Sequence, residues 1–213
     1  QTTETTHLPT IESREIVRTQ EVVTVADIHG DARALARSLA DAGYITFDEQ
    51  TGDWEITEKG KTEKIVQTGD LLDRGKENLQ VLDMIHALQE KGADIDILIG
   101  NHEAIMLDGL QTGNRRSMAT WLLNGGLDVL SEVYVNRVGG QKEQFDQSIK
   151  SREGKKKWDY AYELVDMIQS GKGGELAEAW AKAQELFLEN GQYAEIFQNM
   201  KLTVPFIQVT QFH

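Results

Sequence analysis

Residues 64–75 read Lys-Ile-Val-Gln-Thr-Gly-Asp-Leu-Leu-Asp-Arg-Gly, and this stretch decides the fold. Lys64 to Thr68 carries the apolar, β-branched residues that predict a strand, and Gly69 to Gly75 predicts a loop with a glycine at each end. From Glu77 to Lys91, leucine and isoleucine recur at three-residue steps, which predicts a helix that ends at Gly92. The order is therefore strand, loop and helix.

The same order of elements occurs before and after this stretch. A β-branched run at residues 22–25 leads into Asp-Ile-His-Gly-Asp at 27–31, and a helix is predicted from Ala32 to Ala42. A third strand, predicted from Ile95 to Ile99, leads into Gly-Asn-His-Glu at 100–103 and another helix. Strands that alternate with helices predict an α/β sheet, and ligands of such sheets bind at loops beyond the carboxyl ends of the strands.

The remainder of the chain divides around this region. Residues 1–20 predict a polar tail, 21–134 the core, 135–201 a helical insertion or cap, and 202–213 a strand that returns to the core. Within the insertion, Trp158 to Ser170 and Glu175 to Asn190 are the clearest predicted helices. A surface excursion without chemistry is predicted from Ile45 to Glu63.

Composition limits the classes of function. The 213 residues are 39% hydrophobic, and no apolar run approaches the length of about 18 residues that a membrane span requires. Lys plus Arg number 22 against 35 for Asp plus Glu, so the net charge of −13 disfavours nucleic acid as a partner. The absence of cysteine excludes a disulfide framework, a thiolate zinc site and a cysteine nucleophile. It leaves both a cytoplasmic and an exported location open.

The polar residues of the three loops are suited to metal and phosphate chemistry. Asp27 and His29 offer a carboxylate and an imidazole to a divalent metal, and the guanidinium of Arg74 can grip a phosphate. The amide oxygen of Asn101 can ligate a metal while His102 moves a proton. Each loop alone also fits an ordinary polar turn or a surface ion pair. Their occurrence in this order, each after a strand, favours one shared site.

The three loops together resemble the calcineurin-like metallophosphoesterases, specifically their phosphoprotein phosphatase branch. That pattern is Gly-Asp-x-His-Gly, Gly-Asp-x-x-Asp-Arg-Gly and Gly-Asn-His-Glu; residues 26–30 match it except for Ala26, and 69–75 and 100–103 match it completely. Residues 69–78 and 121–126 resemble the bacterial and phage enzymes of the lambda type, and 42–45 and 66–70 resemble the Shewanella-like group. The resemblance covers 21–134, with a faint return at 202–213.

This resemblance implies a β-sandwich flanked by helices and a hydrolase with two divalent metal ions. Asp27 and His29 would bind the first ion, Asp70 both ions and Asn101 the second. Arg74, with Asn101, would contact the phosphate. His102, oriented by Asp73, would protonate the leaving alkoxide while a hydroxide held between the ions attacks phosphorus. The resemblance points to manganese, and the ligand types also admit iron, zinc or magnesium.

The implied substrates are phosphoproteins or phosphopeptides that carry phosphoserine, phosphothreonine or phosphotyrosine. One alternative is hydrolysis of dinucleoside polyphosphates or other small phosphoesters. Another is a non-catalytic binding module in which the metal site is incomplete.

The sequence departs from the pattern at the later metal ligands. The family completes its second metal site with two histidines, whereas this chain has five histidines in all and His213 is the candidate that remains. The expectation is that the chain stops short of those ligands and lacks the C-terminal half of the sheet, with His213 itself as the alternative ligand. Ile99 stands where many relatives carry a phosphate-binding arginine. Arg115 and Arg116 could replace it or be surface charges.

Overall fold

The computed structural model describes residues 22–149 and 153–203, and all structural statements concern these ranges. Within them the strands are β1 (Val22–Val25), β2 (Ile45–Phe47), β3 (Trp54–Ile56), β4 (Lys64–Gln67) and β5 (Asp94–Ile97). The first six helices are α1 (Ala32–Asp41), α2 (Glu58–Thr62), α3 (Asn78–Glu90), α4 (Asn101–Thr112), α5 (Arg115–Trp121) and α6 (Leu127–Val133). The later helices are α7 (Lys142–Ser148), α8 (Lys157–Gln169), α9 (Glu175–Phe187) and α10 (Ala194–Gln198). Wider π-helical turns, Leu122–Gly126 and Tyr134–Val138, flank α6.

The centre of the fold is a parallel sheet in the order β1–β4–β5. Its middle strand, β4, buries Ile65, Val66 and Gln67, as expected for a strand covered on both faces. The register pairs Val25 with Gln67 and Gln67 with Ile97. The three strands therefore end level, and the three loops that follow them leave the same edge of the sheet.

The predicted strand–loop–helix units are confirmed. Helix α1 follows β1 and buries Leu35, Ala36 and Leu39, and its first residue is preceded by Asp31, whose Oδ1 accepts a hydrogen bond from the Ala34 N–H at 2.8 Å. That side-chain cap satisfies one of the free donors of the first helical turn. The mixed α/β fold is thus as predicted, although a second sheet of the expected sandwich is not among the described residues.

The predicted surface excursion at 45–63 is more regular than expected. It contains an antiparallel hairpin of β2 and β3, closed by a hydrogen bond from the Asp48 N–H to the Asp53 carbonyl at 2.8 Å, followed by α2. Asp48 also accepts hydrogen bonds from the backbone of Gln50 and Thr51 through Oδ1. A short aspartate-capped turn of this kind stabilises a hairpin even between three-residue strands.

The chain from α4 to α10 is helical, as predicted. Helices α8 and α9 confirm the two helices expected at 158–170 and 175–190, with ends a few residues earlier for α9. The buried side chains of the helices from α4 to α10 join one continuous core with the sheet, through residues such as Trp121, Phe145 and Phe187. The boundary between core and insertion stays a prediction.

A partly buried polar contact joins the helical part to α3. The Arg137 guanidinium lies 2.9 Å from Asp83 Oδ2 and donates to the Tyr193 hydroxyl at 2.6 Å, and that hydroxyl donates to Asp83. Tyr193 is fully buried. Burial, together with the neighbouring Asp83 carboxylate, raises the pKa of Tyr193 to about 12. The phenol therefore stays protonated and keeps its donor role.

Several expectations fall outside the described part of the chain. The polar tail at 1–20, the return strand beyond residue 203 and His213 cannot be compared with it. Before that limit, Lys201 pairs with Leu98 beside the end of β5 in parallel orientation. In the ranges that the structure describes, every helix is too short or too polar to span a bilayer.

The Tyr193 contact generates a test of stability. Tyr193→Phe removes the hydroxyl between Asp83 and Arg137 and should lower the free energy of unfolding by about 1–3 kcal/mol, because buried polar partners lose a hydrogen bond. Urea unfolding followed by circular dichroism measures the change. Tyr162→Phe, whose ring packs beside Trp158 at 6.0 Å, is the matched control and should change little. Equal effects of both substitutions would contradict this assignment.

Candidate active site

The first two loops are joined through their backbones. The Asp70 carbonyl accepts hydrogen bonds from the N–H groups of Ile28 at 3.1 Å and His29 at 2.9 Å, and the Leu71 carbonyl accepts from Gly30 at 2.8 Å. These hydrogen bonds attach the loop after β1 to the loop after β4. The position of His29 therefore depends on the conformation of the second loop.

The site residues hold unusual backbone conformations. Five non-glycine residues of the described chain have positive φ, and four of them are His29 (46°), Asp70 (52°), Asp73 (73°) and Arg74 (68°); the fifth is Asn190. A side chain makes the left-handed region unfavourable, so such residues persist only where surrounding contacts hold them. The clustering here marks the two loops as functional and requires an interaction that fixes them.

Glu103 supplies that interaction. Its Oε2 accepts hydrogen bonds from the N–H groups of Asp70 at 2.8 Å and Gly100 at 3.2 Å, and Oε1 accepts from Leu71 at 2.8 Å and Leu72 at 3.3 Å. The side chain is buried, and this burial raises the pKa of Glu103 even though the backbone donors favour its charged form. The sequence places Glu103 in a motif but gives no indication that it organises the Asp70 loop.

Asp70 lies between the second and third loops. Its Oδ1 accepts the His102 N–H at 3.0 Å, at the beginning of α4, where the helix dipole favours a carboxylate. A Cβ at Gly100 would lie 2.2 Å from the same oxygen, so only glycine permits this approach. Asp70 is thus held at the centre of the three loops.

The Asn101 amide lies 3.2 Å from Asp70 Oδ2. With its nitrogen toward Asp70, the amide donates a hydrogen bond, and its oxygen accepts from the His102 N–H at 3.3 Å. With its oxygen toward Asp70, two acceptors face each other, an arrangement that a cation between them stabilises. The Asn101 side chain can therefore either form hydrogen bonds with Asp70 and the His102 N–H or serve as a metal ligand.

Further donor atoms lie around this pair. Ligand atoms of His29, Asp70 and His102 lie within 4.8 Å of one another, and Asp27 Oδ2 lies 4.0 Å from His29 Nε2. Two ligands of one ion with bonds of about 2.1 Å are at most about 4.2 Å apart, so Asp27 and His29 fit a shared ion. His29 Nδ1 lies 3.3 Å from the Leu72 carbonyl, and donation there leaves Nε2 free for a metal. The donor set fits divalent cations.

Arg74 lies between the two imidazoles. Its Nη1 is 3.3 Å from His29 Nε2 and its Nη2 is 3.1 Å from His102 Nε2. The arginine is exposed whereas His102 is buried, so the guanidinium contacts both imidazoles and is still open to solvent. A forked donor in this position is suited to a phosphate that approaches from solvent.

His102 is held by a buried carboxylate. Asp73 Oδ2 lies 2.7 Å from His102 Nδ1, and Asp73 Oδ1 accepts the indole N–H of Trp121 at 2.9 Å. The Asp73 N–H donates to Asn78 Oδ1 at 2.8 Å. The hydrogen bond to Asp73 raises the pKa of His102, while the smaller effect of the Arg74 charge opposes this rise. With Nδ1–H donated to Asp73, Nε2 of the neutral ring accepts from Arg74 Nη2, and Nε2 is the atom that gains a proton when the ring becomes charged.

The structure therefore brings seven of the predicted site residues together: Asp27, His29, Asp70, Asp73, Arg74, Asn101 and His102. His213 lies outside the described residues. Arg115 forms a two-pronged ion pair with Asp166 and lies over the Tyr162 ring at 4.7 Å, so its guanidinium is already paired. Glu103, Trp121 and Asn78 are supporting residues whose roles sequence reasoning missed, although all three lie in the quoted stretches.

Comparison with known proteins agrees with this site. A family model described as calcineurin-like phosphoesterase matches residues 21–200. The chain is 31% identical over 94 residues to Shewanella-like protein phosphatase 2 of Arabidopsis thaliana, covering 42% of this chain and 22% of that protein. It is 30% identical over 107 residues to serine/threonine-protein phosphatase 2 of Salmonella typhimurium, covering 50% of this chain and 39% of that protein. No solved structure matches significantly.

The chain thus spans well under half the length of each of these curated relatives. The residues matched by the family model include the region of the fold that carries the three loops.

Glu103 gives a prediction about stability. Glu103→Gln replaces one acceptor oxygen by an NH2 group that faces backbone N–H donors, and it should lower the free energy of unfolding by about 2–4 kcal/mol. Urea unfolding measures this loss. The control is Glu90→Gln on α3, where the exposed carboxylate lies 3.6 Å from His86 and its change should stay within about 0.5 kcal/mol. A Glu103→Gln protein as stable as this control would refute the role of Glu103.

His29 gives a prediction about metal affinity. His29→Gln removes a candidate ligand and should raise the dissociation constant for Mn²⁺ by about tenfold or more, measured by calorimetry or by the electron paramagnetic resonance of free Mn²⁺. The control is His86→Gln, since His86 lies on α3 with its side chain 34% exposed and pairs with Glu90. Identical affinities of the two variants would remove His29 from the metal site.

Proposed function

The chain belongs to the calcineurin-like phosphoesterase family, and on that premise we propose that it hydrolyses phosphate monoesters with bound divalent metal ions. One observation carries the proposal. The guanidinium of Arg74 lies between the Nε2 atoms of His29 and His102, near the group of ligand atoms that includes the Asp70 carboxylate. A phosphate-binding guanidinium, metal ligands and a proton donor would therefore lie at one place.

The metal ions would be held by residues of all three loops. Asp27 and His29 would bind one ion, Asp70 would be shared, and Asn101 would bind a second through its amide oxygen. When bound, such ions polarise phosphoryl oxygens and lower the pKa of water toward neutrality. We propose manganese as the native metal because the resemblance favours it, and these ligand types also accept iron, zinc or magnesium.

Arg74 would position the phosphate. Its two terminal nitrogens lie beside the imidazoles of His29 and His102 and its side chain is exposed, so an incoming phosphate can take the place of the imidazoles and accept both N–H groups together. Asn101 lies at the same face and would add a polar contact. These contacts orient the ester oxygen toward His102.

His102 would supply the proton that the leaving group needs. As the bond from phosphorus to the ester oxygen breaks and water oxygen adds to phosphorus, the departing alkoxide takes the proton from Nε2 of His102. Asp73 holds the opposite ring nitrogen at 2.7 Å, which orients the ring and stabilises its protonated form. The reaction yields an alcohol and inorganic phosphate.

We further propose that the substrate is a phosphoprotein or phosphopeptide with phosphoserine or phosphothreonine, and secondarily phosphotyrosine. The supporting observation is that both curated relatives are named as protein phosphatases, and one of them as a serine/threonine-protein phosphatase. The exposed position of Arg74 also suits a phosphate on a large substrate.

Replacement of Asp70 tests the reaction. Asp70→Asn keeps the shape of the side chain but removes the shared negative charge, so Mn²⁺-dependent phosphate release from a phosphoserine peptide should fall by on the order of a hundredfold or more. A malachite green assay with and without Mn²⁺ measures the release. Asp41→Asn, at the exposed end of α1, is the control and should retain full activity.

The same assay separates the alternatives. Turnover of diadenosine tetraphosphate in preference to the phosphopeptide would replace the protein substrate by a small phosphoester. Metal binding without turnover of either compound would indicate a binding module. Metal-independent release, or equal rates for Asp70→Asn and the control, would refute the proposed metal-dependent hydrolysis.

A further inference from the structure

The Asp73 carboxylate is held from two sides. Oδ2 contacts His102 Nδ1 at 2.7 Å, and Oδ1 accepts the indole N–H of Trp121 at 2.9 Å. Asp73 and Trp121 are both almost fully buried. We propose that Trp121 is a positioning residue that fixes Asp73, and through it the His102 ring, for delivery of a proton to the leaving group. This inference rests on the proposed function.

The indole is suited to this role because it is a donor only. A carboxylate that bonds His102 through one oxygen leaves the other oxygen buried, and an unsatisfied buried charge is costly. An N–H without acceptor capacity can bond only the carboxylate, so it does not compete for the proton on His102. Since Asp73 has a φ of 73°, its backbone conformation also depends on surrounding contacts that hold it.

Trp121 is itself held rigidly. It is the last residue of α5, and its ring packs edge-on against Trp180 at 5.6 Å between centroids. At Gly126, an added Cβ would lie 2.7 Å from the indole, so the following turn lies directly against the ring. The donor is thus fixed by packing on two sides, as orientation of a catalytic group requires.

The turn after Trp121 also touches the phosphate-binding loop. Gly125 has a φ of 123°, and a Cβ there would lie 2.4 Å from the Arg74 backbone nitrogen and 2.8 Å from Asp73 Cβ. The π-helical turn Leu122–Gly126 therefore packs on the Asp73–Arg74 backbone while the preceding Trp121 holds the Asp73 side chain. Both contacts restrain the carboxylate that orients His102.

The kinetic test compares leaving groups. Trp121→Phe keeps an aromatic ring but lacks the N–H, and kcat for phenyl phosphate should fall by about tenfold, because phenoxide departure depends on a well-placed acid. For 2,4-dinitrophenyl phosphate, whose leaving group departs without a proton, kcat should change less than about twofold. KM and Mn²⁺ affinity should be unchanged for both. Trp180→Phe, which keeps a ring beside Trp121, is the matched control and should show no such difference.

A spectroscopic test is independent of turnover. The chain has four tryptophans, so substitution assigns each indole N–H signal in a proton–nitrogen spectrum. The Trp121 N–H should exchange slowly and shift strongly in Asp73→Asn, whereas that of Trp158, which is 45% exposed, should exchange fast and stay unchanged. The exchange rate is measured on folded wild-type protein, and substitution of the other three tryptophans assigns the Trp121 signal by elimination, so the measurement applies even if Trp121→Phe proves unstable.

The outcomes separate the two proposals. A leaving-group difference confined to Trp121→Phe, with a protected and Asp73-sensitive indole, supports the positioning role. If kcat of Trp121→Phe falls equally for both leaving groups, or if Trp180→Phe shows the same leaving-group difference, the positioning role is overturned and Trp121 contributes packing alone. No turnover by the wild type overturns the proposed function; in that case an unprotected Trp121 N–H would also overturn the contact with Asp73.

Discussion

The carboxylate of Glu103 is the contact on which the site depends. It gathers backbone N–H groups from Asp70, Leu71, Leu72 and Gly100, and thereby holds a loop whose residues adopt unfavourable positive φ angles. A buried carboxylate is costly unless donors surround it, and a strained loop is costly unless something fixes it. The loop N–H groups stabilise the buried carboxylate, and the carboxylate in turn holds the strained loop. Because the loop after β1 is hydrogen-bonded to the Asp70 and Leu71 carbonyls, the Glu103 carboxylate indirectly positions His29 as well.

The sheet supplies the second constraint. Parallel strands that end in register bring their loops to one edge, and β4 lies between β1 and β5. The loop of the central strand is the one that can touch both neighbours. This explains why Asp70, which follows β4, contacts both the His29 loop and the beginning of α4.

The sequence predicts the local units well because their signals are local. The strand at 64–67, the helix after it and the polar residues at 70, 73 and 74 follow from short spacings. The contacts that organise them join distant positions: Glu103 is 33 residues from Asp70, and Trp121 is 48 residues from Asp73. No periodicity reveals such pairs. The β2–β3 hairpin was missed for a different reason, since three-residue strands are too short for alternation to be recognised.

The proposed reaction asks for different precision from different residues. His102 would direct one atom, and it is buried, hydrogen-bonded to Asp73 and linked through Asp73 to a packed indole. Arg74 would meet a phosphate from solvent, and it is exposed, although its backbone is packed against Gly125. Rigid burial limits the positions of a proton donor, while exposure with a fixed backbone leaves a forked donor free to reach. Two adjacent residues, Asp73 and Arg74, would therefore serve opposite requirements: both have a left-handed backbone, and one is buried while the other is exposed.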